Sequence, residues 1–231
     1  MKPSKHNLPL FHKRHLHPDP DPLYHETMAR RIGHRRIAGV DEAGRGPLAG
    51  PVVAAAVIIP EGVCIEGVRD SKRMTVKARE RAFEQILGTA VAVGIGVVSH
   101  GTIDRVNIRR ATLEAMKRAV LTLDPPPDYL LVDGIDRVPV SMPQAPLKKG
   151  DQISLSISAA SILAKVYRDR IMCAYHEEFP EYGFIQNKGY GTARHLKAIE
   201  AHGPCALHRR SFRRVTEHVA PHIEAIEDTE K

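Results

Sequence analysis

The amino-acid sequence predicts an α/β domain built on a mixed β-sheet. Three apolar stretches of strand length follow one another, at 37–40, 52–59 and 90–98, and a segment of helical spacing, 74–87, precedes the last of them. A long amphipathic segment then leads to a fourth apolar stretch, and more helical segments follow it. Strands and helices in this order pack as layers around one sheet.

The predicted strands are short apolar runs that end in polar, glycine-containing turns. Residues 37–40 run into the polar turn 41–47, and residues 129–132 end at Asp133 and Gly134. We expect the first three strands to form an antiparallel meander with one helix interposed.

The predicted helices have apolar residues at helical spacing. Residues 107–123 form a strongly amphipathic segment that the three prolines at 125–127 stop. Residues 156–175 begin with small side chains, which allow close packing, and 195–202 form a short helix.

The 231 residues suit one domain with short tails. We predict a basic, disordered arm at 1–35, a folded domain at 36–216 and an acidic tail at 217–231. Residues 1–36 hold eight Lys and Arg against three Asp and Glu, and 186–214 hold seven against one. A net charge of +7 suits a polyanionic partner, although it is weak evidence alone.

Other bulk features exclude several classes of protein. Five histidines of the arm, at 6, 12, 15, 17 and 25, lack a repeated ligand spacing, which favours disorder over the alternative of a metal site. The three cysteines are far apart, which argues against a zinc knot or disulfide framework. No apolar run approaches the ~20 residues of a membrane span, so we expect a cytoplasmic protein without membrane association.

Four carboxylates lie at positions that suggest chemistry. Asp41 directly follows an apolar strand, Glu42 is its neighbour, Asp133 ends a second strand, and Asp151 follows a Lys-Lys-Gly turn and precedes a helix. Each has a structural alternative, such as capping a turn or helix. Together they favour a cation, because clustered carboxylates repel one another. Oxygen ligands without His or Cys select Mg²⁺ or Mn²⁺, and two such ions can hydrolyse a phosphodiester.

Two glycine-flanked turns are candidates for contacts with substrate. Gly44, Arg45 and Gly46 form either a tight turn or a backbone surface that a ligand approaches closely. A second turn displays Tyr190, and four arginines follow at 209, 210, 213 and 214. These are either solvated surface groups or phosphate contacts with one aromatic platform.

The stretch V-D-E-A-G-R-G-P-L-A-G-P-V-V-A-A-A-V at 40–57 resembles the opening signature of bacterial ribonuclease HII, the type 2 ribonucleases H. Further motifs of that family match in order at 70–72, 107–113, 131–134, 149–151, 158–169, 182–184, 188–192 and 208–212. The departures are small: Ser158 stands where we expect Ala, and Asn187 where His is common.

The resemblance implies a ribonuclease H-like fold with a mixed five-stranded sheet flanked by helices and a helical C-terminal extension. It implies an endoribonuclease that cuts the RNA strand of RNA–DNA hybrids and cuts 5′ of single ribonucleotides in duplex DNA, leaving 3′-hydroxyl and 5′-phosphate ends. The protein is expected to act as a monomer with two Mn²⁺ or Mg²⁺ ions.

The resemblance also assigns roles to residues. The metal-binding catalytic acids are Asp41, Glu42, Asp133 and Asp151. Substrate-binding roles fall to Gly44, Arg45 and Gly46 at the ribose 2′-hydroxyl, to Tyr190 at the adjoining sugar, and to Lys72 and the late basic residues at backbone phosphates.

Two other functions are compatible with parts of this pattern. A DNA resolvase or repair nuclease on the same fold would share the acids but would not need a reader of the 2′-hydroxyl. A non-catalytic nucleic-acid-binding module would gain nothing from acids that face a polyanion.

Overall fold

A mixed five-stranded sheet forms the centre of the structure, a computed structural model that describes residues 21–65, 67–68 and 74–218. The strands are β1 (Ile37–Ala43), β2 (Val52–Ile58), β3 (Ala92–Val98), β4 (Tyr129–Asp133) and β5 (Gln144–Leu147). The helices are α1 (Tyr24–Arg31), α2 (Val76–Thr89), α3 (His100–Val106), α4 (Ile108–Leu121), α5 (Leu155–Glu178), α6 (Phe184–Asn187), α7 (Ala193–His202) and α8 (Arg213–Thr216). Two 3₁₀ turns lie at Gly150–Gln152 and Pro180–Tyr182.

The strand order is β3-β2-β1-β4-β5. Strands β1, β2 and β3 pair antiparallel, which confirms the predicted meander, while β4 pairs parallel to both β1 and β5. The short strand β5 was not identified from its residues, because it has no continuous apolar run and contains Pro146. Proline is tolerated there since β5 is an edge strand.

Helices cover both faces of the sheet, as the predicted layers require. One face of β1, β2 and β3 packs on α4 through alanine and aliphatic side chains. The other face packs on α2 and α5. Gly39 of β1 leaves no room for a Cβ atom against the backbone at Ser156, so α5 lies directly on the central strand.

Helix α1 lies within the segment that was predicted to be a disordered arm. Its residues Glu26 and Ala29 are buried, and Ala29 packs with Ile37, Leu131 and Ile157. The expectation of disorder is therefore wrong for this stretch, because tertiary contacts fold a helix whose own apolar pattern is weak. Residues 1–20 and 219–231 of the predicted arm and tail lie outside the described residues.

The C-terminal extension packs as a separate cluster against the end of α5. Its core includes Phe184, Ile199, Leu207 and Val215 together with Met172 of α5. This confirms the helical extension that the sequence implied. None of the described helices is long and apolar enough to cross a membrane.

Candidate active site

Two of the predicted acids lie on the central strand and not in the turn that was expected after it. Strand β1 continues to Ala43 because its pairing with β2 continues, with Asp41 opposite Ala55 and Glu42 opposite Ala54. Its pairing with β4 ends earlier, at Val40. Asp41 and Glu42 therefore project from a rigid, half-paired strand end.

Asp133 is the last residue of β4, as predicted. Because β1 and β4 run parallel with Val40 opposite Val132, Asp133 lies beside Asp41 at the same edge of the sheet. The backbone N–H of Gly150 donates a 2.7 Å hydrogen bond to Asp133 Oδ1. The turn before α5 thus fixes one oxygen of this carboxylate.

Burial and mutual repulsion disfavour the charged forms of these acids. Burial, followed by the charges of Glu42 and Asp133, raises the pKa of Asp41 well above its usual range. Hydrogen bonds from the Ser161 side chain and the Glu42 amide act in the opposite direction. Burial also raises the pKa of Glu42, although Arg45 at 3.3 Å partly offsets this. Such a site favours a proton or a cation.

Asp151 lies in the 3₁₀ turn before α5 and is buried. The alternative that it caps the following helix is excluded, because the N-cap of α5 is Ser154, whose hydroxyl accepts from the Ile157 amide. Asp151 does not line the pocket that the other three acids share. Among the described residues, no three His, Cys, Asp or Glu side chains converge into a preformed metal cluster.

The three strand-end acids open into a cavity of about 240 Å³. The rest of its wall comes from residues 43–46, Ser161, Lys165 and Tyr190. The structure therefore brings together most of the predicted site residues. Sequence reasoning assigned no role to Ser161 and Lys165, although their spacing of four residues on a helix places both on one face.

One buried arginine, Arg209, holds the backbone of the 44–46 loop, and a second, Arg168, packs against it. Arg209 donates to the carbonyl oxygens of Gly44 at 2.6 Å and Arg45 at 3.0 Å, and also to those of Gly50 and Pro51. Arg168 packs where a Cβ of Gly44 would lie, and Gly44 has a φ of +100°. Glycine is therefore required at this position for both space and conformation.

Burial lowers the pKa of Arg168 to about 10 and that of Arg209 to about 9. Both side chains are fully buried, and their guanidinium groups bind protein carbonyl oxygens. The expectation that Arg209 contacts substrate phosphates is therefore wrong, because its guanidinium is enclosed. The chain fixes the loop with a cation that solvent does not reach.

Tyr190 is 44% exposed and lies in the turn before α7. Its ring faces Gly46, whose missing Cβ would lie 3.7 Å from the ring. Lys165 Nζ lies 5.8 Å from the ring centroid. Asn187, the departure from the usual His, shapes this turn by accepting a 2.7 Å hydrogen bond from the Gly189 amide. Tyr190 and the 44–46 loop thus form one continuous surface.

A chain of hydrogen bonds from two buried histidines fixes the Tyr190 backbone. The Cys205 amide donates to His208 Nδ1, so the hydrogen of His208 lies on Nε2, 3.1 Å from His195 Nε2. His195 then donates from Nδ1 to the Tyr190 carbonyl oxygen at 2.9 Å. Burial, followed by the charge of His195, lowers the pKa of His208 to about 4. Each histidine in this chain donates from one ring nitrogen and accepts at the other, which is the pattern of a neutral imidazole.

The remaining predicted phosphate contacts divide into two groups. Lys72 lies in the 69–73 gap, outside the described residues. Arg213 is 94% exposed, and Arg214 lies 3.5 Å from the Gly191 carbonyl oxygen beside the Tyr190 turn. These two arginines remain accessible to a substrate.

Comparisons with known proteins agree on one family. The model of the Ribonuclease HII family matches residues 38–215. A ribonuclease HII from Geobacter metallireducens is 58% identical over 196 residues, which cover 85% of this chain and 92% of that protein. One from Geotalea daltonii is 55% identical over 213 residues, covering 92% and 97%.

Solved structures show the same fold. The ribonuclease H2 of Pyrococcus horikoshii matches with a TM-score of 0.68 at 28% identity, covering 79% of this chain and 96% of that one. The Archaeoglobus fulgidus ribonuclease HII, solved in complex with PCNA, matches with a TM-score of 0.67 at 26% identity, covering 77% and 95%. A ribonuclease HIII in complex with Mn²⁺ shares the fold with a TM-score of 0.64 at 19% identity, covering 82% and 71%.

Proposed function

The chain belongs to the ribonuclease HII family, and we propose how its residues divide the reaction of that family. The protein is a metal-dependent endoribonuclease that cleaves RNA in RNA–DNA hybrids and at ribonucleotides embedded in DNA. This division of roles among the residues rests on one observation, which is that they line a single cavity. Three acids form one part of its lining, and the 44–46 loop with Tyr190 forms another.

We propose that Asp41, Glu42 and Asp133 hold divalent cations, with Asp151 as a fourth ligand from the turn before α5. The donor set consists of oxygens alone, which suits Mg²⁺ or Mn²⁺. The raised pKa values of Asp41 and Glu42 support this assignment, because crowded buried carboxylates favour a counter-cation. The Mn²⁺ found in the ribonuclease HIII with the same fold is consistent with this chemistry.

When bound, two such ions activate a water molecule and stabilise the leaving oxygen. The chain's own part is to orient the ligands. The Ser161 side chain and the Glu42 amide hold Asp41, Arg45 holds Glu42, and the Gly150 amide holds Asp133. Cleavage 5′ of the ribonucleotide would leave 3′-hydroxyl and 5′-phosphate ends.

Recognition of the ribonucleotide is assigned to the 44–46 loop. Gly46 is exposed and carries no side chain, so a sugar can approach its backbone closely. A backbone held by the buried Arg209 keeps its polar groups in place for a 2′-hydroxyl. Such a site rejects an analogue that lacks the hydroxyl, since its own groups are then left unpaired. Tyr190 packs against the adjoining sugar.

Affinity is assigned to cationic side chains. Lys72, Arg210, Arg213 and Arg214 would bind backbone phosphates, which supply most of the affinity without reading sequence. We also propose a cytoplasmic monomer. The three cysteines are all free thiols, which supports a reducing compartment.

One cleavage assay tests this proposal. End-labelled duplex DNA with one ribonucleotide, the same duplex without it, and a long hybrid are each incubated with Mg²⁺, Mn²⁺ or excess chelator. We expect cleavage of the first and third substrates only, and only with metal. Full cleavage in chelator would overturn the metal assignment, and equal cleavage of all-DNA duplex would overturn the reading of the 2′-hydroxyl.

A further inference from the structure

A buried carboxylate outside the active-site pocket joins the N-terminal helix to the start of α5. Glu26 of α1 is only 3% exposed. Its Oε1 accepts hydrogen bonds from the Ser154 hydroxyl at 2.7 Å, the Ser156 hydroxyl at 2.7 Å and the Ser156 amide at 2.9 Å. Its other oxygen, Oε2, is buried and has no hydrogen-bond partner in the described part of the chain.

Capping alone does not explain this carboxylate. Ser154 already caps α5 by accepting from the Ile157 amide. Burying a carboxylate with one oxygen left without a partner costs free energy that a neutral side chain would not. A costly polar group retained in a core points to a role beyond stability.

A path of hydrogen bonds runs from Glu26 to the catalytic edge. Glu26 holds the Ser154 hydroxyl, and the Ser154 amide donates to the Gly150 carbonyl oxygen at 2.9 Å. The Gly150 amide donates to Asp133 Oδ1 at 2.7 Å. Asp151 lies within this turn, between Gly150 and Ser154. The position of α1 is thus linked to two of the acids.

The turn between these anchors is tight. Lys149, which precedes it, has a φ of +58°, a left-handed conformation that costs energy for a residue with a side chain. A Cβ at Gly150 would crowd the side chains of Ile157 and Leu147, the latter at 3.3 Å. A turn of this kind keeps its shape only while its flanking contacts hold it.

We propose that Glu26 is a positioning residue that holds the 149–154 turn so that Asp133 and Asp151 present their carboxylates to the metal ions. The proposal rests on the metal-binding role of these acids given above. On this proposal, α1 supports the metal-binding acids. The basic residues before α1 have a different role, which is to contribute to binding of the nucleic acid.

The test is a Mn²⁺ titration of the single-turnover cleavage rate on a duplex with one ribonucleotide, using the full-length chain. Mutating a residue that supports a metal ligand from behind typically lowers metal affinity by about 10–100-fold. We expect Glu26→Ala to raise the half-saturating Mn²⁺ concentration by about tenfold. The KM for the duplex should stay within about twofold, because phosphate contacts lie elsewhere.

Two further variants make the result specific. Glu26→Gln keeps an acceptor oxygen toward the two serines, so it should recover most of the wild-type Mn²⁺ dependence. Arg30→Ala removes only the 3.7 Å ion pair between α1 and Glu61, so it should leave that dependence unchanged. If Glu26→Ala does not fold, Ser156→Ala removes one of the three bonds and should shift the titration in the same direction.

Thermal unfolding of each variant separates positioning from stability. A folded Glu26→Ala protein, or Ser156→Ala in its place, with the wild-type half-saturating Mn²⁺ concentration would overturn the proposal. Asp133→Asn serves as the reference. If Asp133→Asn shifts the titration and Glu26→Ala does not, only the positioning role fails. If Asp133→Asn also leaves it unchanged, the metal assignment and the positioning role both fail.

Discussion

The two walls of the active-site pocket are built in opposite ways. On one wall, Asp41 and Glu42 are buried together near Asp133, and their surroundings raise the pKa of both. On the other wall, the 44–46 loop has its carbonyl oxygens bound by Arg209, which four backbone oxygens enclose. One wall carries more negative charge than its neighbours neutralise, while on the other Arg209 already binds the carbonyl oxygens of Gly44 and Arg45.

This difference matches two different tasks. A wall that must receive cations gains from carboxylates that the protein does not neutralise by itself. A wall that must detect one hydroxyl gains from groups already fixed in place, since preorganised groups lose little on binding. The predictions below test whether the two walls act separately.

The largest effect is expected from the acid wall. Asp41→Asn, Glu42→Gln and Asp133→Asn each remove a charge that holds metal, at almost constant volume. We expect single-turnover rates to fall by roughly 10² or more, equivalent to about 2.7 kcal/mol at the transition state. Binding of the duplex, measured by fluorescence anisotropy, should change little. A folded Asp133→Asn protein with a near-normal rate would mean that the metal site lies elsewhere.

A smaller effect is expected from the recognition wall. Tyr190→Ala removes packing against the sugar, and we expect cleavage at a single ribonucleotide to fall by about tenfold, or about 1.4 kcal/mol. Duplex affinity should change by less than about twofold, because phosphate contacts dominate it. Tyr190→Phe is the matched control and should be milder if packing matters more than the hydroxyl. If Tyr190→Ala lowered duplex affinity as much as the cleavage rate, Tyr190 would be a general binding residue and not one that acts on cleavage.

The acid wall should also lower stability in the absence of metal. The folded-state pKa of Asp41 lies above its unfolded value, so folding binds protons and the free energy of unfolding decreases as pH rises through this window. At neutral pH in chelator, Asp41→Asn should raise the thermal midpoint by about 2 °C or more, where ~1 kcal/mol corresponds to about 2–4 °C. The gain should shrink as pH falls. A lower thermal midpoint for Asp41→Asn at neutral pH would contradict the claim that the charged form of Asp41 destabilises the metal-free protein.

The same shift predicts the pH dependence of cleavage. As pH falls through the raised pKa values of Asp41 and Glu42, protons compete with metal for the acids. The rate should therefore fall at acidic pH, and a higher Mn²⁺ concentration should restore part of it. An acid limb that is independent of Mn²⁺ would assign the loss to other groups.

The smallest effect is expected from residues 1–20, which hold four Lys and Arg against one Asp. Deleting them should leave the rate on saturating substrate unchanged and weaken binding mainly at low salt, because mobile positive charge acts through counterion release. Loss of turnover on saturating substrate would assign these residues to the active site. Deleting residues 1–34 should cost much more, because it also removes Glu26.

Much of the fold followed from local patterns. The apolar strands and helix α4 were predicted because their apolar patterns are strong, and α5 was predicted from a stretch that begins with small residues; the observed bounds agree within a few residues. Strand β5 was missed because it is a short edge strand, and helix α1 because it depends on tertiary contacts. The short helices α3, α6 and α8 were missed as well. The end of β1 was placed too early, since pairing with β2 and not composition decides where it stops.

For the active site too, local sequence patterns predicted some features and tertiary contacts decided the others. The acids and glycines were found because polar residues directly after apolar runs are conspicuous. Burial could not be predicted in the same way, so Arg209 was expected to face phosphate when its guanidinium binds the 44–46 loop. The contacts of Glu26 join residues 128 to 130 positions apart in the chain, and local sequence carries no signal for them.

The central claim is that one wall holds the metal ions while the other reads the 2′-hydroxyl. The most direct test is a crystal structure of the protein with Mn²⁺ and a duplex that carries one ribonucleotide, with an anomalous difference map at the manganese edge. The account predicts manganese peaks among the carboxylates of Asp41, Glu42 and Asp133, and the 2′-oxygen against the backbone of residues 44–46. Manganese bound away from these acids, or a 2′-oxygen that faces another part of the protein, would contradict it.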